Sequence, residues 1–405
     1  VAATFTTSSL THCGLPQPWI AVLATRTMRL LLAALLLLPA LAGAASKPCA
    51  GGVQATSADF EARGPYPVTK TTFTFVDTSR VTPPNKTYPG APQRTLVTDV
   101  YYPGSVGGAL LDGAPYPLVI HSHGYLDARN GEAYVLDHLA SHGYVVVSAD
   151  YPLSNGGAPG GATIDDIANQ PGDARFIIDQ VLAMSATTGG PLSGKIDPER
   201  IGASGLSLGG LTTLLLTYHR DLRDPRIRAA LPMAAPSCFF TKRFFKTSTA
   251  PLLVMHGTTD ALVPLRENGQ RTFRNARGHR HFVTLANGSH TGFTGFADLF
   301  PQEEHFDRIG CAGLLAGLGS ALDDGTAFQS IANPRAGVEV DQKRCPLPCT
   351  EEPVDPSMSA ARHHELTRLV ATAFFDAYLK NDAGARCFIA RGLDTEQGDT
   401  DVRSR

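Results

Sequence analysis

The 405-residue chain is poor in charge: Asp, Glu, Lys and Arg make up 18% of it, and 35 basic against 37 acidic residues leave a formal net charge of −2. There is no basic surplus to neutralise phosphates, which argues against nucleic acid as a partner. Long runs of one sign are missing, so the chain has no acidic or basic interaction tail. It also lacks Cys-x-x-Cys pairs and histidines at finger spacing, the usual patterns of structural zinc. The glycine-rich stretch Asn155–Ala162 (NGGAPGGA) has neither the Gly-Lys-Ser/Thr ending of a phosphate loop nor the dinucleotide fingerprint. It reads as a flexible connection. No internal repeat occurs. What the chain does have is apolar residues, 43% of the total, enough for one large α/β domain or two ordinary ones.

The N-terminal region has a different character. From Met28 it runs MRLLLAALLLLPALAGAASKPCA: one positive residue, an apolar stretch and then Ala42-Gly43-Ala44. This pattern predicts a secretory signal peptide over 28–44, cut after Ala44, and hence a secreted or periplasmic protein. The competing reading is an uncleaved anchor, although the apolar run is short for a stable membrane span and no second one follows. Residues 1–27 read as an upstream extension that takes no part in the fold. Beyond Ala44 the cysteines are Cys49, Cys238, Cys311, Cys345, Cys349 and Cys387. An even number in an exported chain predicts disulfides, with fifteen possible pairings left open. Cys311, Cys345 and Cys349 share one irregular region, and some of them are expected to staple it.

After a Pro/Gly-rich lead-in (45–71), apolar β-branched runs alternate with helical patterns. The strands expected are Thr72–Val76, Thr95–Tyr101, Leu118–His123, Tyr144–Ala149, Arg200–Gly205, Ala229–Met233, Leu252–His256 and His281–Leu285. Helices are expected at Glu132–Ser141, Asp173–Met184, Leu208–Tyr218, Leu265–Ala276 and His364–Lys380. Strands that are apolar throughout are buried on both faces, and helices between them supply parallel crossovers. The pattern predicts an α/β fold: a mostly parallel sheet of about eight strands, with helices on both faces. The core spans 72–290, a closing helix 363–380 and a C-terminal tail 381–405. Between core and closing helix, 291–362 is Cys-containing and weakly periodic, and reads as an insertion with short elements of its own.

One junction carries chemistry. In IGASGLSLGGLTTLLL, Ser207 sits between Gly205 and Gly209 where a strand meets a helix. In a nucleophile elbow that turn lifts the serine Oγ above the sheet, and small neighbours let strand and helix approach. The alternative is a plain glycine turn. A serine needs a base, and the base an orienting carboxylate. Asp260 in MHGTTDALVP and His290 in ANGSHTGF follow Ser207 in the order Ser, Asp, His, each just past a strand, where open α/β sheets place their sites. Oxyanion donors are expected from the backbone N–H groups of Leu208 and Tyr125, the latter in VIHSHGYLDARN. His121 and His123 form an H-x-H pair that a metal site would use, yet no third ligand is evident, and neither metal nor cofactor is expected. Asp150 and Asp173 precede Ser207 and read as a turn residue and a helix-terminal charge. His256 is read as positioning the acid loop.

HSHGY, DPERIGASGLSLGG, MHGTTDALVP and GSHTGF stand in the order and spacing found in α/β-hydrolases, and over 72–290 the chain resembles the dienelactone-hydrolase and platelet-activating-factor-acetylhydrolase branch. It also resembles bacterial cutinase-type polyester hydrolases. Those resemblances imply Ser207 as nucleophile, Asp260 as acid, His290 as base and Tyr125 as the oxyanion tyrosine. Dienelactone hydrolase itself uses a cysteine where this chain has Ser207. Polyester hydrolases carry a stacking tryptophan where this chain reads MAAPSCFFTKRFF; Phe239 and Phe240 stand there as a candidate apolar wall, with core packing as the competing reading. The expected function is ester hydrolysis on a small or polymeric ester. A peptidase on the same site and a non-catalytic binding protein are the rival readings.

Overall fold

A computed structural model describes residues 55–104, 113–318, 326–341, 344–350 and 356–405. The segments read as upstream extension and signal peptide lie outside these residues, as does Cys49. The described strands form one nine-stranded sheet in the order β1-β2-β4-β3-β5-β6-β7-β8-β9. They are β1 Val68–Asp77, β2 Arg94–Pro103, β3 Tyr116–Ser122, β4 Val145–Ala149, β5 Ile196–Leu206, β6 Ile227–Met233, β7 Leu252–Gly257, β8 Arg280–Leu285 and β9 Thr400–Ser404. From β4 through β3, β5, β6 and β7 to β8 every pairing is parallel; β1, β2 and β9 join antiparallel at the edges.

The central strands follow from their composition. In β3 and β4 (YPLVIHS and VVVSA) every residue is buried, so both faces must be covered. Alternate residues divide between two cores. Val119 and Val146 pack with helices α1 (Ala133–Ser141) and α6 (Ala360–Leu379). Leu118, Ile120, Val145 and Val147 pack with α2 (Gln170–Ala186). On that second face α3 (Leu208–Tyr218) and α4 (Gly269–Asn275) cover β6, β7 and β8. Helix α5 (Asp307–Leu318) lies in the segment after β8.

Four sequence expectations change. A ninth strand, β9, pairs with β8 in the stretch read as a tail; its residues TDVRS carry no apolar signal because an edge strand need not be buried. Helix α4 begins at Gly269 rather than Leu265, because the Asn268 carboxamide oxygen is held by the N–H groups of Ser237 and Cys238 at 2.8 and 2.9 Å. Asp173 is more than a helix-terminal charge. It is fully buried in the first turn of α2 and receives two hydrogen bonds from the buried Arg94 guanidinium, at 2.7 and 2.6 Å. The glycine-rich stretch 155–162 is pinned rather than free: the Gly156 N–H bonds to the Asp127 carbonyl at 2.9 Å, and the Ala162 carbonyl accepts from the Tyr125 hydroxyl at 3.0 Å.

The segment after His290 is tied to the core covalently and through its backbone. A disulfide joins Cys238 of the core to Cys345 of the segment, and a second, Cys311 to Cys349, cross-links the segment internally. Cys387 is also disulfide-bonded. Backbone hydrogen bonds run from Glu339 to Phe239 (2.9 Å), from Thr241 to Gly337 (3.0 Å) and from Cys349 to Ala261 (2.8 Å).

Candidate active site

β5 ends at Leu206 and α3 begins at Leu208, leaving one residue to reverse the chain. That residue is Ser207, with φ 54° and ψ −117°, a conformation non-glycine residues rarely adopt and one that costs about 1–3 kcal/mol. The turn is fixed on both sides. Its N–H donates to the Met233 carbonyl of β6, and its own carbonyl accepts from Leu211 in α3, both at 2.9 Å. The flanking glycines are a packing necessity: a Cβ on Gly205 would lie 2.4 Å from the Gly209 carbonyl oxygen, and one on Gly209 1.9 Å from that of Ser122. Strand and helix can approach this closely only without side chains at those positions.

Parallel pairing brings the other candidates to the same edge. Asp260 follows β7, and His290 follows β8. The Asp260 carboxylate accepts a hydrogen bond from Nδ1 of His290 at 2.9 Å. Its other oxygen accepts from the N–H groups of Leu262 (3.0 Å) and Val263 (2.7 Å). His256, at the end of β7, donates from Nε2 to the Val263 carbonyl at 2.7 Å and lies 3.2 Å from Asp260. Burial opposes ionisation of Asp260, but the His290 charge and the hydrogen bonds from His256 and His290 outweigh it. The carboxyl is held well below the usual carboxylate range. Burial disfavours the His290 cation, yet Asp260 and then Asp307 more than compensate, so His290 is raised above its ordinary value. The Nδ1–H···Asp260 bond leaves Nε2 as the nitrogen able to accept a proton.

Asp307 is a residue that sequence reasoning missed. It opens α5 and is fully buried. One oxygen accepts from the N–H groups of both Ala261 and His290 (2.9 and 3.0 Å), and the other from Thr291 at 2.7 Å. A single carboxylate thus joins the acid loop to the base loop. His363 of α6 holds the same turn by a 3.1 Å bond to the Ser289 carbonyl. Asp307 lies in a segment without periodicity, where nothing in the sequence marks it.

Tyr125 and Leu208 line a cleft together with Ser207. Among the described residues the backbone N–H of neither meets an acceptor. The H-x-H pair is committed elsewhere. His121 lies 2.9 Å from the Ser204 hydroxyl and 3.0 Å from Glu132, and His123 accepts from the Tyr151 N–H at 3.1 Å. Burial lowers His121 to about 4, so its ring is neutral and donates to Glu132. Next to it lies a second unforeseen feature. Oδ2 of Asp127 and Oε1 of Glu132 are buried without a donor, and burial plus the neighbouring carboxyl pushes Asp127 up. Burial also raises Glu132.

Two clefts meet at Ser207, each enclosing roughly 900 Å³ of space that is partly open to solvent (about 910 and 900 Å³). The first is bounded by Leu208, Ile164 and Phe239 on the core side and by Leu314, Phe328 and Leu347 from the later segment. His290 and Asp127 line the second, with Gly124, Thr291 and Phe296. Tyr125, Ser207, Leu262 and Leu314 line both. The two phenylalanines expected as an apolar wall are both buried in the core and meet edge to face at 4.9 Å. Phe240 also stacks on Phe244 at 3.7 Å, and of the two Phe239 is the one that lines the first cleft.

A family model described as "PETase: PET hydrolase-like" matches residues 44–300. The chain belongs to the PET hydrolase-like family. The matched region of this family member includes Ser207, Asp260 and His290 and stops before α5. Among curated proteins it is similar to Lipase 1 of Moraxella sp. (strain TA144), 27% identical over 191 residues, 47% of this chain and 52% of that one. It is also similar to Cutinase est1 of Thermobifida alba, 22% identical over 193 residues (47% and 56%), and to a cutinase of Thermobifida fusca (strain YX), 24% identical over 166 residues (41% and 46%). The chain spans about half the length of the curated relatives it matches. No helix among the described residues is long and apolar enough to cross a membrane.

Proposed function

We propose that the protein is an exported carboxylic ester hydrolase working through an acyl-enzyme. Ser207 Oγ attacks the acyl carbon while Nε2 of His290 takes its proton, and Asp260 holds the imidazole in the competent tautomer. The N–H groups of Leu208 and Tyr125 stabilise the oxyanion. The alcohol leaves with the proton carried by His290, which then activates water against the acyl-enzyme.

The observation that carries this reading is the pairing of His290 with Asp260 in the cleft where Ser207 is held at positive φ. Family membership and similarity to proteins named lipase and cutinase support the ester as the bond cleaved. Export is supported by the disulfides and by a family match that begins at Ala44, the expected cleavage position. In Ser207→Ala, turnover of p-nitrophenyl acetate should fall to background while circular dichroism shows an intact fold. Turnover surviving in that variant contradicts the proposal.

A further inference from the structure

The two clefts differ in one respect that assigns the halves of the substrate. His290 lines the second cleft and not the first, while Leu208, whose N–H faces the oxyanion in the proposed mechanism, lines the first. When the tetrahedral intermediate collapses, the bond from carbon to the alcohol oxygen breaks. Its electron pair goes to that oxygen, and His290 delivers the proton it took from Ser207. The alcohol therefore departs on the His290 side, through the second cleft. The acyl group is left in the first.

That first cleft is apolar and built from two sources. Ile164 and Phe239 come from the core; Leu314, Leu318, Phe328 and Leu347 come from the segment beyond residue 300, where the family match ends. The outer wall is fastened where it meets the inner one. Cys238 and Cys345 both line the cleft and are bonded to each other, the Glu339 N–H donates to the Phe239 carbonyl, and the Phe239 and Phe328 rings lie 5.4 Å apart. Its polar side chains are already engaged: Asn268 accepts from Ser237 and Cys238 and donates to Pro264 at 2.8 Å, and Asp341 has a partner within the protein.

We infer that the substrate is an ester of a medium-length aliphatic acid, its acyl chain lying between the core and the disulfide-fastened wall formed by Leu314, Leu318, Phe328 and Leu347. The inference rests on Ser207 being the nucleophile. It separates this chain from an enzyme with an open polymer groove, because the later segment adds a second wall on the acyl side.

The test is kcat/KM for p-nitrophenyl esters from acetyl to palmitoyl. Each methylene that enters the pocket should raise it up to about fourfold, until the pocket is full and longer chains lose activity. Filling the pocket from the wall side with Ala327→Phe, or with Leu347→Trp should the first variant not fold, should lower the octanoate-to-acetate ratio at least about tenfold. A profile that falls from acetate onward, or a ratio unchanged in the folded variants, overturns the acyl pocket while leaving the esterase intact. Ser207→Ala, run alongside on acetate, reports on the nucleophile separately. Turnover there defeats the reading on which the inference rests.

Discussion

The strand ends of the core and the segment that follows His290 build the site in opposite ways. Core residues are placed by the sheet: Ser207, Asp260 and His290 each follow a parallel strand within a few residues, so their positions come from β5, β7 and β8. Among the described residues the later segment contains helix α5 and short helical turns; it is held to the core by the Cys238–Cys345 disulfide, by backbone bonds to the turn after β6 and the acid loop, and by one buried carboxylate, while Cys311–Cys349 cross-links it internally. The first region can hold a strained serine because strands and helices on all sides over-determine it. The second is attached rather than woven in, so it supplies walls and a brace. In the proposed function, chemistry belongs to the strand ends and substrate choice to the attached segment.

That division is sharpened first by the largest effects. His290→Ala should lower kcat by about 10⁶-fold and Asp260→Asn by about 10⁴-fold, the scale of losses when a triad base and its orienting acid are removed. Steady-state assays on a short ester check both. Equal and small losses would mean that the strand ends do not carry the chemistry.

Asp307→Asn probes the boundary between the two regions. Loosening the bond to the His290 N–H should cost about ten- to a hundredfold in kcat, the scale of a small misplacement of a catalytic group. The pH profile distinguishes this from general destabilisation. His290 must be neutral to act as base, so activity rises with pH through its pKa, which lies above the ordinary histidine value. Asp307 contributes to that rise, so its neutralisation should move the acid limb to lower pH. A loss of rate with an unmoved limb would make Asp307 a structural brace alone.

The smallest effect is expected at Tyr125→Phe. This variant removes the hydroxyl bond to Ala162 and keeps the backbone N–H, so kcat should fall by no more than about fivefold, the worth of one ordinary hydrogen bond. A loss of several hundredfold would assign the hydroxyl itself a role at the oxyanion.

Legibility in the sequence follows the same division. The central strands are readable because burial on both faces forces nearly continuous apolar runs, and each of the eight expected strands overlaps an observed one, His123 and Tyr144 falling one residue outside. The Gly-x-Ser-x-Gly turn is readable because close approach of α3 to β5 and to the end of β3 excludes side chains at Gly205 and Gly209. β9 is invisible because an edge strand of five polar-rich residues needs no apolar pattern. Asp307 is invisible for another reason: its importance comes from a contact with an element remote in the chain, the acid loop at Ala261. Phe239 and Phe240 show the limit at single-residue scale, since of two adjacent, chemically identical core side chains one also lines a cleft and the other does not.

The central claim is that Ser207 is the nucleophile, and covalent trapping addresses it most directly. Protein treated with a fluorophosphonate should gain the mass of one adduct, mapped by peptide sequencing to Ser207, with ester hydrolysis lost in proportion to labelling. His290→Ala should label at least about a hundredfold more slowly, because the serine then lacks its base. An adduct on another residue, or hydrolysis that persists in fully labelled protein, would contradict the account.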